Sequence, residues 1–108
     1  MMNRNQLSAI RKELREALSS VLDDQVETLF LYGSQTRDDA HPESDIDVLV
    51  VLKGDFDYFE MVELTGETAS KISLKYDTVI SLAFTSKEKF INRNDPFLRN
   101  VRQDGIRL

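Results

Sequence analysis

Gly33-Ser34-Gln35-Thr36-Arg37-Asp38-Asp39-Ala40-His41-Pro42-Glu43-Ser44-Asp45-Ile46-Asp47 lies between two apolar runs, Leu29-Phe30-Leu31-Tyr32 before it and Val48-Leu49-Val50-Val51-Leu52 after it. Each run is short, β-branched or aromatic, and bounded by turn formers, a pattern that predicts two buried strands. A Gly-Ser pair therefore leaves the end of one strand, and an Asp-x-Asp pair opens the next. Alternate residues of a strand share a face, so Asp45 and Asp47 are expected side by side. Two neighbouring carboxylates on rigid backbone repel each other unless a cation lies between them. That is the chemistry of a divalent metal site, and ligands that are all oxygen suit Mg²⁺ or Mn²⁺ better than zinc.

Working outward, Leu7, Ile10, Leu14, Ala17, Leu18, Val21 and Leu22 recur at intervals of three and four with charges between them. This predicts an amphipathic helix over 5–22 that covers the sheet, with Lys12 and Arg15 on a solvated face. The first strand is expected over 26–32 and the second over 46–52. Pro42 prevents regular structure through the middle of the linker. A helical pattern returns over 56–74, with Phe59, Val62, Ala69 and Ile72 on one side, and Gly66 predicts a break or a close contact within it. Residues 75–84 read as a third strand that carries Asp77, and a crossover of this length predicts parallel pairing with the second strand. Ser86 caps a short helix, and Asp95-Pro96 opens another that runs to about Gln103. Gly105 stops it, with Ile106-Arg107-Leu108 available as an edge strand.

The bulk composition narrows the function. At 108 residues the chain is read as one domain, with no cysteine for a disulfide or thiolate site. A net charge of −5 opposes broad phosphate-backbone binding, so no direct nucleic-acid contact is expected. It leaves nucleotide binding open, because metal ions supply positive charge. The first residues lack the apolar stretch of a signal peptide and no run reaches membrane-spanning length, so a cytoplasmic protein with no membrane partner is expected.

Among the remaining candidates, Gly33 permits a turn that a side chain would block, and Ser34 offers a hydroxyl and a backbone N–H that can cradle a phosphate. Such pairs also fill ordinary turns. Arg37, beside Asp38 and Asp39, reads as a surface ion pair or as a ligand to a triphosphate oxygen. His41 reads as a solvent-exposed loop residue, and Phe56 and Phe59 as core, with Tyr58 read as core or as a base-stacking residue. Asp77 within an apolar strand has two readings, a cap or loop role or a third carboxylate facing Asp45 and Asp47.

Gly33-Ser34, ten intervening residues and then Asp45-Ile46-Asp47 resembles the signature of the minimal nucleotidyltransferases of the DNA polymerase β superfamily. Leu31-Tyr32 before Gly-Ser, Arg37 three residues after Ser34, Ser44 before the Asp pair, and Asp104-Gly105-Ile106 near the C-terminus agree with it. Asp38 stands where that family commonly has Gly. The resemblance implies an α+β nucleotidyltransferase fold, a small mixed three-stranded sheet flanked by helices, in one domain over 1–108. It implies that Asp45 and Asp47 hold two Mg²⁺ ions, that Gly33, Ser34 and Arg37 bind the nucleotide, and that Asp77 is the third metal-binding carboxylate, beside the acceptor. ATP is then the donor and AMP the transferred group. The implied partner is an all-helical HEPN ribonuclease toxin, silenced by AMP on a tyrosine, within a homo- or hetero-oligomer. Two other functions fit the same residues: an antitoxin that acts by occlusion, and an enzyme that modifies a small molecule.

Overall fold

The strand that opens with Asp-x-Asp is the centre of the molecule. The computed structural model describes residues 4–33 and 45–108. The linker from Ser34 to Ser44, with Ser34, Arg37 and His41, lies outside the described residues. Within them the order is α1 (Arg4–Leu22), a 3₁₀ turn (Asp23–Gln25), β1 (Val26–Tyr32), β2 (Ile46–Leu52), α2 (Tyr58–Tyr76), β3 (Ile80–Ser86), α3 (Lys87–Asn92), α4 (Pro96–Asp104) and β4 (Ile106–Arg107). The fold is α+β, and its mixed sheet has four strands in the order β3-β2-β1-β4. The fourth strand, beyond the three expected, arises because Gly105 ends α4 and lets Ile106 and Arg107 pair antiparallel with Leu31 and Phe30. β1 and β2 are antiparallel, while β2 and β3 are parallel as the crossover length predicts.

Strand alternation divides the sheet into two unequal faces. Ile46, Val48, Val50 and Leu52 of β2, with Leu29 and Leu31 of β1, join Ile10, Leu14, Leu18 and Leu22 of α1 and Met61 and Ile72 of α2 in the main core. The four α1 residues recur every four positions and are fully buried, each burial contributing about 1.5–3 kcal/mol. The opposite face, with Leu49 and Val51 of β2, is covered by Leu98 and Val101 of α4 and flanked by Phe30, Tyr32, Ala83 and Phe90. Two helices of 19 residues cover the first face, and two of six and nine residues the second. Among the described residues nothing fully covers the beginning of β2 on that second face, and Asp45 and Asp47 stand there.

Three expectations are corrected. Asp77 is not in a strand: α2 runs on to Tyr76, and Asp77 follows it at φ 51°, ψ 51°. The N–H of Asp77 donates to the Leu74 carbonyl at 3.4 Å and that of Thr78 to the Ser73 carbonyl at 3.0 Å, the pattern of a left-handed C-terminal helix cap. The 75–76 pair belongs to the last helical turn, so the third strand starts five residues later than expected. Second, α2 buries Met61, Thr65 and Ile72, whereas Phe59 and Val62 are 81% and 42% exposed. Tyr58, open between core and base stacking, is exposed, and only Phe56 of that group packs on the main core. Third, α2 continues through Gly66, and a side chain there would meet nothing within 4 Å. The caps at Ser86 and Asp95 form as expected, with their side-chain oxygens accepting from the N–H groups of Lys89 and Leu98.

Candidate active site

The site is one row of residues across the open end of the second face. Tyr32 of β1 pairs with Asp47 of β2, and Asp47 pairs with Ser81 of β3. Residues opposite one another in a sheet share a face, so the row reads Tyr32, Asp47, Ser81, with Asp45 two residues before Asp47 on the same side. Asp47 is the sole residue of β2 that is not fully buried. It is a carboxylate at the rim of an apolar strand, where the neighbouring helices leave it half-covered.

Gly33 closes the row from the β1 side. Its φ is +83°, and a Cβ added to it would lie 2.7 Å from Oδ2 of Asp47. The glycine is therefore needed twice, once for a left-handed backbone and once to let the turn pass against a carboxylate. Burial raises the pKa of Asp47 above the usual carboxylate value, and the negative charge of Asp45 raises it further. Burial also raises the pKa of the Tyr32 phenol, with the charge of Asp47 adding to it. Burial is the larger cause of both shifts and neighbouring negative charge the smaller, and a cation bound at Asp47 would favour the charged carboxylate against both. Two carboxylates, one of them partly desolvated, form an oxygen-donor set that fits Mg²⁺ or Mn²⁺ completed by phosphate oxygens.

Of the residues expected in the site, Asp45, Asp47 and Gly33 come together, while Ser34 and Arg37 lie outside the described residues. Asp77 does not join them. It is exposed at the helix cap, and among the described residues no three acidic side chains gather as a metal-binding group. Two neighbours were not anticipated. Ser81 flanks Asp47 on β3, and Phe97 of α4 meets Tyr32 edge-on with ring centroids 5.2 Å apart. Ser81 is legible once Ile80, Leu82 and Phe84 are seen to alternate toward the main core; Phe97 has no local signal, since only the packing of α4 brings it there.

The sequence profile described as polymerase beta, nucleotidyltransferase, matches residues 12–101. The chain belongs to this nucleotidyltransferase family. A protein of Methanocaldococcus jannaschii, named provisionally as a protein adenylyltransferase, is 39% identical over 95 residues, which span 87% of this chain and 89% of its own length. A second from the same organism, named in the same way, is 38% identical over 72 residues, 67% of this chain and 72% of its own. Among solved structures, a chain of a toxin–antitoxin complex with AMP-PNP superposes with a TM-score of 0.64 at 18% identity, covering 90% of this chain and 70% of that one. A chain from the complex of a tri-AMPylated HEPN toxin with its MNT antitoxin, from Shewanella oneidensis, gives 0.57 at 17% identity over 93% of this chain and 69% of that one. At these identities the structural likeness speaks for the fold. The nucleotidyltransferase is thus an enzyme whose chemistry is nucleotide transfer, and the row around Asp47 is its candidate centre.

Proposed function

We propose that this nucleotidyltransferase is a Mg²⁺-dependent protein adenylyltransferase that moves AMP from ATP to a tyrosine hydroxyl of a HEPN-type toxin, and so acts as its antitoxin. The observation that carries the reading is the juxtaposition of Asp45 and Asp47 with the glycine turn that passes against Asp47. The names of the Methanocaldococcus jannaschii relatives support protein adenylylation, and the toxin–antitoxin complexes of like fold support the partner.

Asp45 and Asp47 would hold the divalent ion, which when bound neutralises the triphosphate and polarises the phosphorus under attack. Gly33 keeps the backbone close to Asp47 so that the triphosphate can approach from the β1 side. Tyr32 and Phe97 wall that side with aromatic rings. The acceptor oxygen forms a bond to the α-phosphorus, and the bond from that phosphorus to the oxygen bridging to the β-phosphorus breaks. Pyrophosphate leaves, and the hydroxyl proton passes to solvent.

The test is incubation with ATP labelled in the α-phosphate, Mg²⁺ and the HEPN-type partner. Label is expected on a partner tyrosine, lost on chelation and reduced at least 100-fold in Asp45→Asn and Asp47→Asn, since a metal-binding carboxylate acts throughout the reaction. A double variant that labels as well as the wild type would overturn the catalytic assignment. A double variant that cannot label yet still silences the toxin would establish neutralisation by occlusion.

A further inference from the structure

Asp47 has a different neighbour on each side, and the difference bears on how many ions the site can hold. On the β1 side stand Tyr32 and the Gly33 turn, the side assigned above to the triphosphate. On the β3 side stands Ser81, directly opposite Asp47 in the parallel pair and half-buried. The faces are fixed by packing: Ile80, Leu82 and Phe84 turn toward the main core, and Ala83 toward the second cluster. Ser81 therefore shares the second face with Asp47 and Ala83.

A Mg²⁺ ion is commonly held by one or two carboxylates together with substrate phosphates. Asp45, Asp47 and a triphosphate meet that need for one ion. A second ion about 4 Å away, placed to clamp the attacking oxygen, needs further anionic ligands on the acceptor side. The strand on that side presents a neutral hydroxyl, and Asp77, the cap of α2, gathers with no pair of acidic side chains as a metal-binding group among the described residues. We propose that Ser81 sets the metal count of this enzyme at one: it takes the acceptor-side position beside Asp47 without the charge that a second divalent ion requires. This inference rests on the adenylyltransferase reading for the assignment of donor and acceptor sides.

In this arrangement the reaction balances without a second ion. The acceptor oxygen bonds to the α-phosphorus, the bond to the bridging oxygen breaks with release of pyrophosphate, and the proton goes to water rather than to a carboxylate on β3. Ser81 acts here only by lacking a charge, and its substitution by an acid should create an ion site.

The experiment counts bound Mn²⁺ by paramagnetic resonance and equilibrium dialysis, on the full chain saturated with a non-hydrolysable ATP analogue. One Mn²⁺ per chain is expected for the wild type, two for Ser81→Asp, and one for Ser81→Asn, which has nearly the same shape without the charge. Asp77→Asn should leave the count at one. Two ions on the wild type, or one on a folded Ser81→Asp chain that still binds the analogue, would overturn the inference and leave the transferase reading intact. No Mn²⁺ on the wild type in the presence of the analogue would overturn both. If Ser81→Asp fails to fold, the wild-type count decides alone.

Discussion

Gly33 shows at the scale of one residue how backbone conformation and chemistry are coupled. At φ +83° any side chain is strained, by about 1–2 kcal/mol for a left-handed residue. The methyl of alanine would in addition meet Oδ2 of Asp47 at 2.7 Å, so either the turn or the carboxylate must move. Gly33→Ala is therefore expected to lower the melting temperature by several degrees, at about 4–8 °C per kcal/mol for a domain near this size. It should lower AMP transfer by on the order of 100-fold, the effect of displacing a reacting group by about 1 Å. Melting curves and transfer rates measured on the same preparation separate the two losses. A variant that melts lower but transfers at the wild-type rate would show that the position of the Asp47 carboxylate is not critical. The electrostatics point the same way, because the raised pKa of Asp47 arises from partial burial and from Asp45.

The elements show which parts of this fold can be read locally and which cannot. β1 and β2 were legible to the residue, because an apolar run bounded by turn formers has few alternatives, and Asp45 and Asp47 followed from alternation along β2. The caps at Ser86 and Asp95 were legible for the same local reason. Residues 75–79 were not, because Lys75, Tyr76 and Thr78 suit a strand as well as a helix end. What decided between them was distant: Tyr76 packs on the main core, and Lys75 pairs with Glu13 of α1. The exposed start of α2 was misjudged because an aromatic run signals burial only where a neighbour covers it. The position of Asp77 has an energetic consequence, since a carboxylate at a helix C-terminus opposes the helix dipole. Asp77→Asn keeps a residue that tolerates the left-handed region and removes the charge. It should stabilise the chain by about 0.3–1 kcal/mol at low salt and leave transfer unchanged. Denaturant titration and the labelling assay check both halves, and a loss of activity comparable to that of Asp47→Asn would return Asp77 to the site.

For the whole molecule, stability and ligand binding meet at Asp47. Its folded pKa is raised, by burial first and then by Asp45. The folded state therefore holds this proton more tightly than the unfolded chain does. Linkage then gives a contribution to stability that is fully present below the unfolded value of about 3.9 and is lost as pH rises through the raised folded value. At neutral pH the charged carboxylate thus penalises the metal-free fold. Asp47→Asn removes the penalty, an unusual direction because most substitutions destabilise. In EDTA at pH 7 the variant should melt a few degrees above the wild type, and its advantage should shrink as the pH falls toward the unfolded carboxylate value. With Mg²⁺ and a non-hydrolysable ATP analogue the order should invert. The wild type gains RT ln(1 + [L]/Kd), about 2.7 kcal/mol at 100 times Kd, while the variant has lost a ligand of the ion and gains little. Four melting curves at neutral pH and one pH series in EDTA test the whole chain of argument. A variant that melts below the wild type in EDTA would mean that hydrogen bonds to Asp47 outweigh its burial and its repulsion by Asp45, so that the carboxylate stabilises the metal-free fold.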